Sequence, residues 1–392
     1  MKIVIYDDSP DFGGHELMIL QALKYLVRLD NALVSVVYFG GNQRLHAHLE
    51  KIGSRLGKYQ LTYSSKSFQS ARLLFQKQAI DETAILLRRL SPDVIVVAQG
   101  YISICSLGLM AARKVGCAVI SYVAITQRMK EVGASLGWIR DMFDRRLFRV
   151  PDAFITISQF MKSLLESRGI PSAAISIVRN GVDFSGALPR DRDSARRHCG
   201  IPIGSFAVGI LGRIKFAHKG HDFFLKTLSR YRRELTNTVV LVVGDGPDKK
   251  RLLRLIDKEN LEDIVQVLPW TDDMASVYGA LDLLALPSRS EGVPLVMLEA
   301  MGRGIPVITS KLRELEEFIS PQWQFEYGKP ASLLATLNRV RYEVDHQRIE
   351  TNKAFILQHF GITDFGERFY LAMRTHLKSL PSEKKTDGLE TR

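Results

Sequence analysis

Cysteine is scarce in this chain of 392 residues: there are three, Cys105, Cys117 and Cys199. None forms a Cys-x-x-Cys pair or groups with histidine. An odd and scattered set argues against a disulfide framework and against structural zinc, and fits a reducing compartment. Long apolar runs are also missing. No stretch approaches the ~20 apolar residues that span a bilayer. The opening run in MKIVIYDD is too short for a signal peptide and meets two aspartates at once. Aromatic residues nowhere interleave with basic ones in the manner of a single-strand binder, and no nucleic-acid motif is present, so nucleic acid is not an expected partner. These absences leave a cytoplasmic protein that could work peripherally at the inner membrane surface.

What is present is ordinary for a globular chain: 46% hydrophobic and 24% charged residues. The length gives a prior of two or three domains. The charge is less ordinary. The net value is +12, and residues 1–185 hold 23 basic against 15 acidic side chains, so most of the excess sits in the first half. A basic surface suits anionic headgroups or phosphorylated acceptors. Within it, Leu136–Arg149 (LGWIRDMFDRRLFR) places Trp138, Ile139, Met142, Phe143 and Leu147 at helical spacing, with Arg140, Arg145, Arg146 and Arg149 elsewhere on the helix. The favoured reading is a core-facing helix with solvated arginines. The other is a membrane-surface helix with a basic face. The basic segment Lys58–Arg89 adds to the case for contact with an anionic membrane.

Along the chain, short apolar runs alternate with helical patterns. Lys2–Asp8, Ala32–Phe39, Tyr59–Tyr63, Val94–Ala98, Ala118–Val123, Ala153–Ile157 and Ile175–Val178 read as strands. Helices are expected between them, notably over Gln69–Leu90 and Ile104–Lys114. The alternation predicts a parallel, doubly wound α/β sheet. Residues after Val178–Asp183 (VRNGVD) lose apolar periodicity and read as a linker and lead-in, SGALPRDRDSARRHCGIP. Asp191 and Asp193 make a literal Asp-x-Asp there, but no strand precedes it, and no metal site is expected. A second series of strands begins at Phe206–Leu211. Leu312–Ile319, Ala331–Arg341 and Thr363–Leu377 read as helices. The expected divisions are 1–185, 186–365, a helix in 366–380 returning to the first domain, and a polar disordered tail, 381–392.

The densest stretch is Ser288–Ile308, SRSEGVPLVMLEAMGRGIPVI. It follows the apolar run Leu281–Pro287 and reads as loop, helix, turn and strand, with Pro294 as the first helical residue. It therefore opens at the carboxyl end of a strand, where open α/β sheets bind ligands. Glu291 stands in the loop and Glu299 inside the helix. A carboxylate can accept two hydrogen bonds from a vicinal diol, and amides at a helix start suit phosphate. Diol, phosphate and diol together describe a nucleotide sugar. Upstream, Arg213 and Lys219 flank the loop GRIKFAHKG and could neutralise a diphosphate as charge builds on it.

EGVPLVMLE resembles the Glu-x7-Glu signature of retaining glycosyltransferases of the GT-B fold, in particular the large family 4. The likeness is specific over about Phe206–Thr309 and weaker through residues 1–185. It implies two facing Rossmann-like domains with an interdomain cleft, the first on the acceptor side and the second holding the nucleotide sugar. By resemblance, Arg213 and Lys219 clamp the leaving diphosphate, Glu299 takes the ribose diol, and Glu291 contacts sugar hydroxyls beside the reacting carbon. Backbone of Gly292, Val293 and Leu295 would hold sugar and β-phosphate, and Trp270 and Thr271 the base. Gly13 and Gly14 resemble the family's Gly-Gly-x-Glu loop under the donor phosphates, a match that takes in His15 and Glu16. The implied reaction needs neither cofactor nor metal. It moves a hexosyl unit from a nucleotide diphosphate sugar to a glycan or lipid-linked acceptor in surface polysaccharide biosynthesis. One position departs: many members carry a histidine where Ala124 stands, with Thr126 and Gln127 nearby. That departure keeps open a non-catalytic nucleotide-sugar-binding partner of a glycosyltransferase; another GT-B enzyme such as an epimerase is a further reading, for which no clear set of acid-base residues stands out.

Overall fold

The structure, a computed structural model, describes residues 1–184 and 191–380. The expected tail, 381–392, and part of the expected linker lie outside the described residues. The chain divides into two compact units, Met1–Gly181 with the described residues from Ile362 on, and Val182–Gly361.

Unit 1 is built on seven parallel strands: β1 (Lys2–Asp7), β2 (Leu33–Phe39), β3 (Leu56–Leu61), β4 (Val94–Tyr101), β5 (Ala118–Ile125), β6 (Ala153–Thr156) and β7 (Ile175–Ile177). Their order is β3-β2-β1-β4-β5-β6-β7. Unit 2 has six: β8 (Phe206–Leu211), β9 (Thr238–Val243), β10 (Val265–Leu268), β11 (Leu283–Leu286), β12 (Val307–Ser310) and β13 (Gln324–Phe325), in the order β10-β9-β8-β11-β12-β13. Every pairing is parallel; Val4, for example, lies between Ser35 and Ile95, and Val208 between Val240 and Leu283. Parallel strands need helical crossovers that cover both faces, so their sequences carry continuous apolar runs. TVVLVV of β9 is buried at all six positions, and KIVIYD of β1 at five of six. In each sheet the direction of winding reverses beside the first strand, between β1 and β4 and between β8 and β11. The carboxyl ends at such a reversal form a crevice. These are the two Rossmann-like sheets of a GT-B fold.

Several local expectations change. The helix expected over Gln69–Leu90 is broken into Gln69–Arg72, a 3-10 turn at Leu73–Phe75, and Lys77–Arg89. Leu136–Arg149 is helical only over Gly137–Asp144, followed by a 3-10 turn at Leu147–Arg149. Its apolar residues do not share one face: Leu147 is buried, whereas Trp138 and Met142 are 64% and 62% exposed. Leu312–Ile319 holds only a 3-10 turn, Arg313–Leu315. The charged run after 190 is not a bare linker. Arg192–His198 is a helix whose N-cap, Asp191, accepts from the Ser194 amide. Ala195 and Cys199 are buried, and Arg192 and Arg196 both pair with Asp282 at the foot of β11. One buried guanidinium–carboxylate pair and two small apolar contacts suffice to fix a helix of this length, and neither registers as apolar periodicity.

The helix Phe365–Ser379 belongs to unit 1 and lies along the helix Gly14–Leu26. Phe365, Phe369 and Met373 are fully buried, and the Phe369 ring meets Tyr122 edge-on at 5.6 Å.

Candidate functional site

In unit 2 the loops at the carboxyl ends of β8, β9 and β11 are sewn together by main-chain bonds. The Ile214 amide donates to Asp245 O (2.8 Å), and the Arg289 amide to His218 O (2.8 Å). The Phe216 amide donates to Asp248 Oδ2 (2.7 Å). Gly220 is in the left-handed region (φ +63°), and a Cβ there would lie 1.9 Å from Pro287 O. Glycine lets the β8 loop touch the β11 loop at that point. The consequence is that Lys219, one residue before it, reaches Glu291: Nζ to Oε1 is 2.6 Å. Ser288 Oγ donates to the same oxygen at 2.5 Å, and the Glu291 amide donates to the Glu314 carboxylate at 3.0 Å. Glu291 is 7% exposed. A carboxylate taken out of water needs such partners, and here one cation and one hydroxyl supply them. Arg213 is exposed on the same β8 loop. The two flanking cations and the loop carboxylate therefore share one end of the sheet, and Lys219 and Glu291 form a single ion pair.

The helix after the loop runs Leu295–Gly302, with Pro294 at its N-cap rather than inside the first turn (ψ 127°). Proline fits the cap because its carbonyl still accepts, from the Met297 and Leu298 amides. Gly292 and Val293 are buried beneath this start and Leu295 is half-buried. Glu299 lies one turn in. Its Oε2 accepts from the hydroxyl of Tyr278, and burial pushes its acid up. Burial, and then that carboxylate, raises the phenol of Tyr278 well above its ordinary value. Arg303 stacks over the same ring at 5.0 Å. At the end of β10, Trp270 and Thr271 are half-buried, and Thr271 Oγ accepts from the Asp273 amide, which starts the next helix.

Burial also holds the two histidines of this loop neutral. His218 and His221 are both lowered to about 4, by desolvation first and then by nearby lysines, Lys215 and Lys219 for His218 and Lys219 for His221.

In unit 1, Gly13 caps the helix that begins at Gly14, and Glu16 reaches back so that Oε2 accepts from the Gly13 amide at 2.8 Å. His15 Nε2 lies 3.0 Å from Glu16 Oε1. Asp7, at the end of β1, completes a group whose ligand-type atoms all lie within 4.8 Å. Burial, then Glu16, pushes Asp7 up to about 7. Burial opposes protonation of His15, yet Glu16 and Asp7 carry it up to about 9. Among the described residues this is the one such cluster; its histidine and glutamate are engaged with each other and with the helix start. Ala124 is half-buried near the end of β5. Of its neighbours, Thr126 donates its hydroxyl to Met161 O (2.9 Å), while Gln127 Oε1 is buried without a hydrogen-bond partner.

Tyr278, Ser288 and Glu314 escaped the sequence reading as site residues. Ser288 and Glu314 are 3 and 23 residues from Glu291, and Tyr278 is 21 from Glu299. Only Ser288 sits close enough in sequence to have been found by spacing.

Two family models match the chain. One, described as Glycosyltransferase Family 4, covers residues 12–185, and the other, Glycosyl transferases group 1, covers 205–340. The O-antigen biosynthesis glycosyltransferase WclY of Escherichia coli is 30% identical over 166 residues, 42% of this chain and 46% of that protein. The putative colanic acid biosynthesis glycosyltransferase WcaL of Salmonella typhimurium is 26% identical over 218 residues, 53% of this chain and 52% of that protein. The matched stretches thus span about half the length of these relatives. Among solved structures, Anabaena HepE in complex with UDP and glucose superposes with a TM-score of 0.77 over 96% of this chain and 100% of that one, at 20% identity.

Proposed function

We propose that this chain, each of whose units a glycosyltransferase family model matches in large part, is a retaining glycosyltransferase of surface polysaccharide biosynthesis. Its donor is a nucleotide diphosphate sugar held by unit 2, and its acceptor a glycan or lipid-linked glycan. The observation that carries this reading is the pairing of Lys219 with the buried Glu291 at the winding reversal of unit 2, with Arg213 on the same loop and Glu299 in the following helix.

The chemistry follows from the charges. The bond from the anomeric carbon to the β-phosphate oxygen breaks, and negative charge collects on the departing diphosphate. Arg213 and Lys219 stabilise that charge as it develops. The acceptor hydroxyl attacks the anomeric carbon from the face the diphosphate leaves, and its proton passes to the leaving phosphate oxygen. Configuration is thereby retained without a protein nucleophile. Glu291 hydrogen-bonds sugar hydroxyls near the reacting carbon. Glu299, with Tyr278 on one oxygen, takes the ribose diol. Two fixed cations do the work a metal would do, so a chelator leaves transfer intact.

Calorimetry with nucleoside diphosphates tests this, beginning with UDP, which Anabaena HepE holds. Arg213→Ala should weaken diphosphate binding by about 1–3 kcal/mol, the size of a hydrogen bond to a charged group. Lys219→Ala should weaken binding and also destabilise unit 2 by about 3–5 kcal/mol, because it strands the buried Glu291 charge. Unaltered diphosphate affinity in both variants would remove the clamp. Glu291→Ala should cut turnover far more than donor affinity.

A further inference from the structure

In unit 1, two linked elements present large apolar side chains to solvent. The 3-10 turn Leu73–Phe75 leaves Leu74 57% and Phe75 90% exposed. The helix Gly137–Asp144 leaves Trp138 64% and Met142 62% exposed. The two elements are joined through the segment just before the turn. The short helix Gln69–Arg72, which runs directly into the turn, packs on Gly137–Asp144. Arg140 stacks on Phe68 at 5.2 Å, and Arg146 Nη2 donates to Ser70 O at 2.7 Å. A tryptophan and a phenylalanine exposed on two linked short elements are not explained by packing within unit 1.

The charge around them points to one occupant. Segments 66–77 and 136–149 hold seven basic residues against two acidic, and one of the two, Asp144, is buried. Lys66, Arg72, Lys77, Arg145 and Arg149 are exposed. On the helix, Trp138 and Met142 are one turn apart on one face, and Arg145 follows on the same stripe. Apolar side chains that include tryptophan, ringed by lysine and arginine, match the boundary of a membrane whose headgroups are anionic. No helix among the described residues is long and apolar enough to cross a membrane, so contact here is with a surface.

We propose that Leu74, Phe75, Trp138 and Met142, with the surrounding cations, form a docking face by which unit 1 sits on an anionic phospholipid surface. The aromatic and aliphatic side chains enter the headgroup boundary and the basic residues pair with headgroup phosphates. The face does not depend on the donor site of unit 2, so either can fail without the other.

The test uses the full chain and vesicles of phosphatidylcholine alone or mixed in equal parts with phosphatidylglycerol. Co-sedimentation should be strong on the mixed vesicles, weak on phosphatidylcholine, and reduced by salt. Phe75→Ser with Trp138→Ser should lower partitioning by about tenfold or more, as should Lys77→Glu with Arg145→Glu. Thermal midpoints and UDP calorimetry check that both double variants remain folded and keep unit 2 unaltered. With brominated lipid in the mixed vesicles, wild-type tryptophan emission should be quenched, and the quenched component should vanish in Trp138→Phe. Equal binding to both vesicle types, or undiminished binding by both double variants, overturns the proposal. So does wild type that self-associates through this face, losing association in Phe75→Ser with Trp138→Ser, without binding vesicles.

Discussion

Single side chains in unit 2 do work that their neighbours in sequence do not disclose. Glu291 stands out in EGVPLVMLE, and so do Lys219 and Arg213 in their loop. That Lys219 closes on Glu291 at 2.6 Å is a property of two loops meeting, 72 residues apart. Histidine shows the same dependence. His221 is 2% exposed, stacked on Phe216 at 6.0 Å, and lowered to about 4 by burial and Lys219. The unfolded chain would protonate it near 6.5, so the folded state binds fewer protons between those values. Stability is therefore complete above about pH 6.5 and falls as pH drops toward 4, by up to about 3 kcal/mol from this residue. Urea denaturation at pH 7 and at pH 4.5 should show the loss in wild type and a smaller one in His221→Phe. An equal loss in the two would place the acid-sensitive group elsewhere.

Elements were legible where one physical signal dominated. Continuous apolar runs marked the buried parallel strands, and β4, β5 and β8 fall within a few residues of expectation. The signal failed where short elements are held by one polar contact, as in Arg192–His198 on Asp282, or where an apolar stripe is split between core and solvent, as at Trp138 and Leu147. It also failed to place Pro294, because a proline is equally suited to the cap and the first turn. The loop after β8 depends on a contact rather than a pattern. Gly220→Ala puts a methyl group against Pro287 O at a backbone angle that side chains rarely adopt. It should cost more than about 2 kcal/mol and loosen the Lys219–Glu291 pair, so the thermal midpoint falls. A variant with native stability would show that this loop tolerates a second backbone path.

At the scale of the whole chain, stability is distributed between two units, and the last described helix is assigned to the first. Phe369 is fully buried there against Tyr122. Phe369→Ala should cost unit 1 about 3–5 kcal/mol, read as a lower midpoint in thermal denaturation; an unchanged midpoint would show that this helix adds little to unit 1. By itself the sequence determined the two doubly wound sheets, the loop–helix carrying Glu291 and Glu299, and the basic bias of the first half, because burial of a parallel strand and the start of a helix leave local marks. Only the tertiary structure decided which loops touch, that Lys219 pairs with Glu291, that Tyr278 and Glu314 hold the two carboxylate positions, and that Phe75 and Trp138 are exposed. Those depend on residues far apart in the chain meeting in space, which no local pattern encodes.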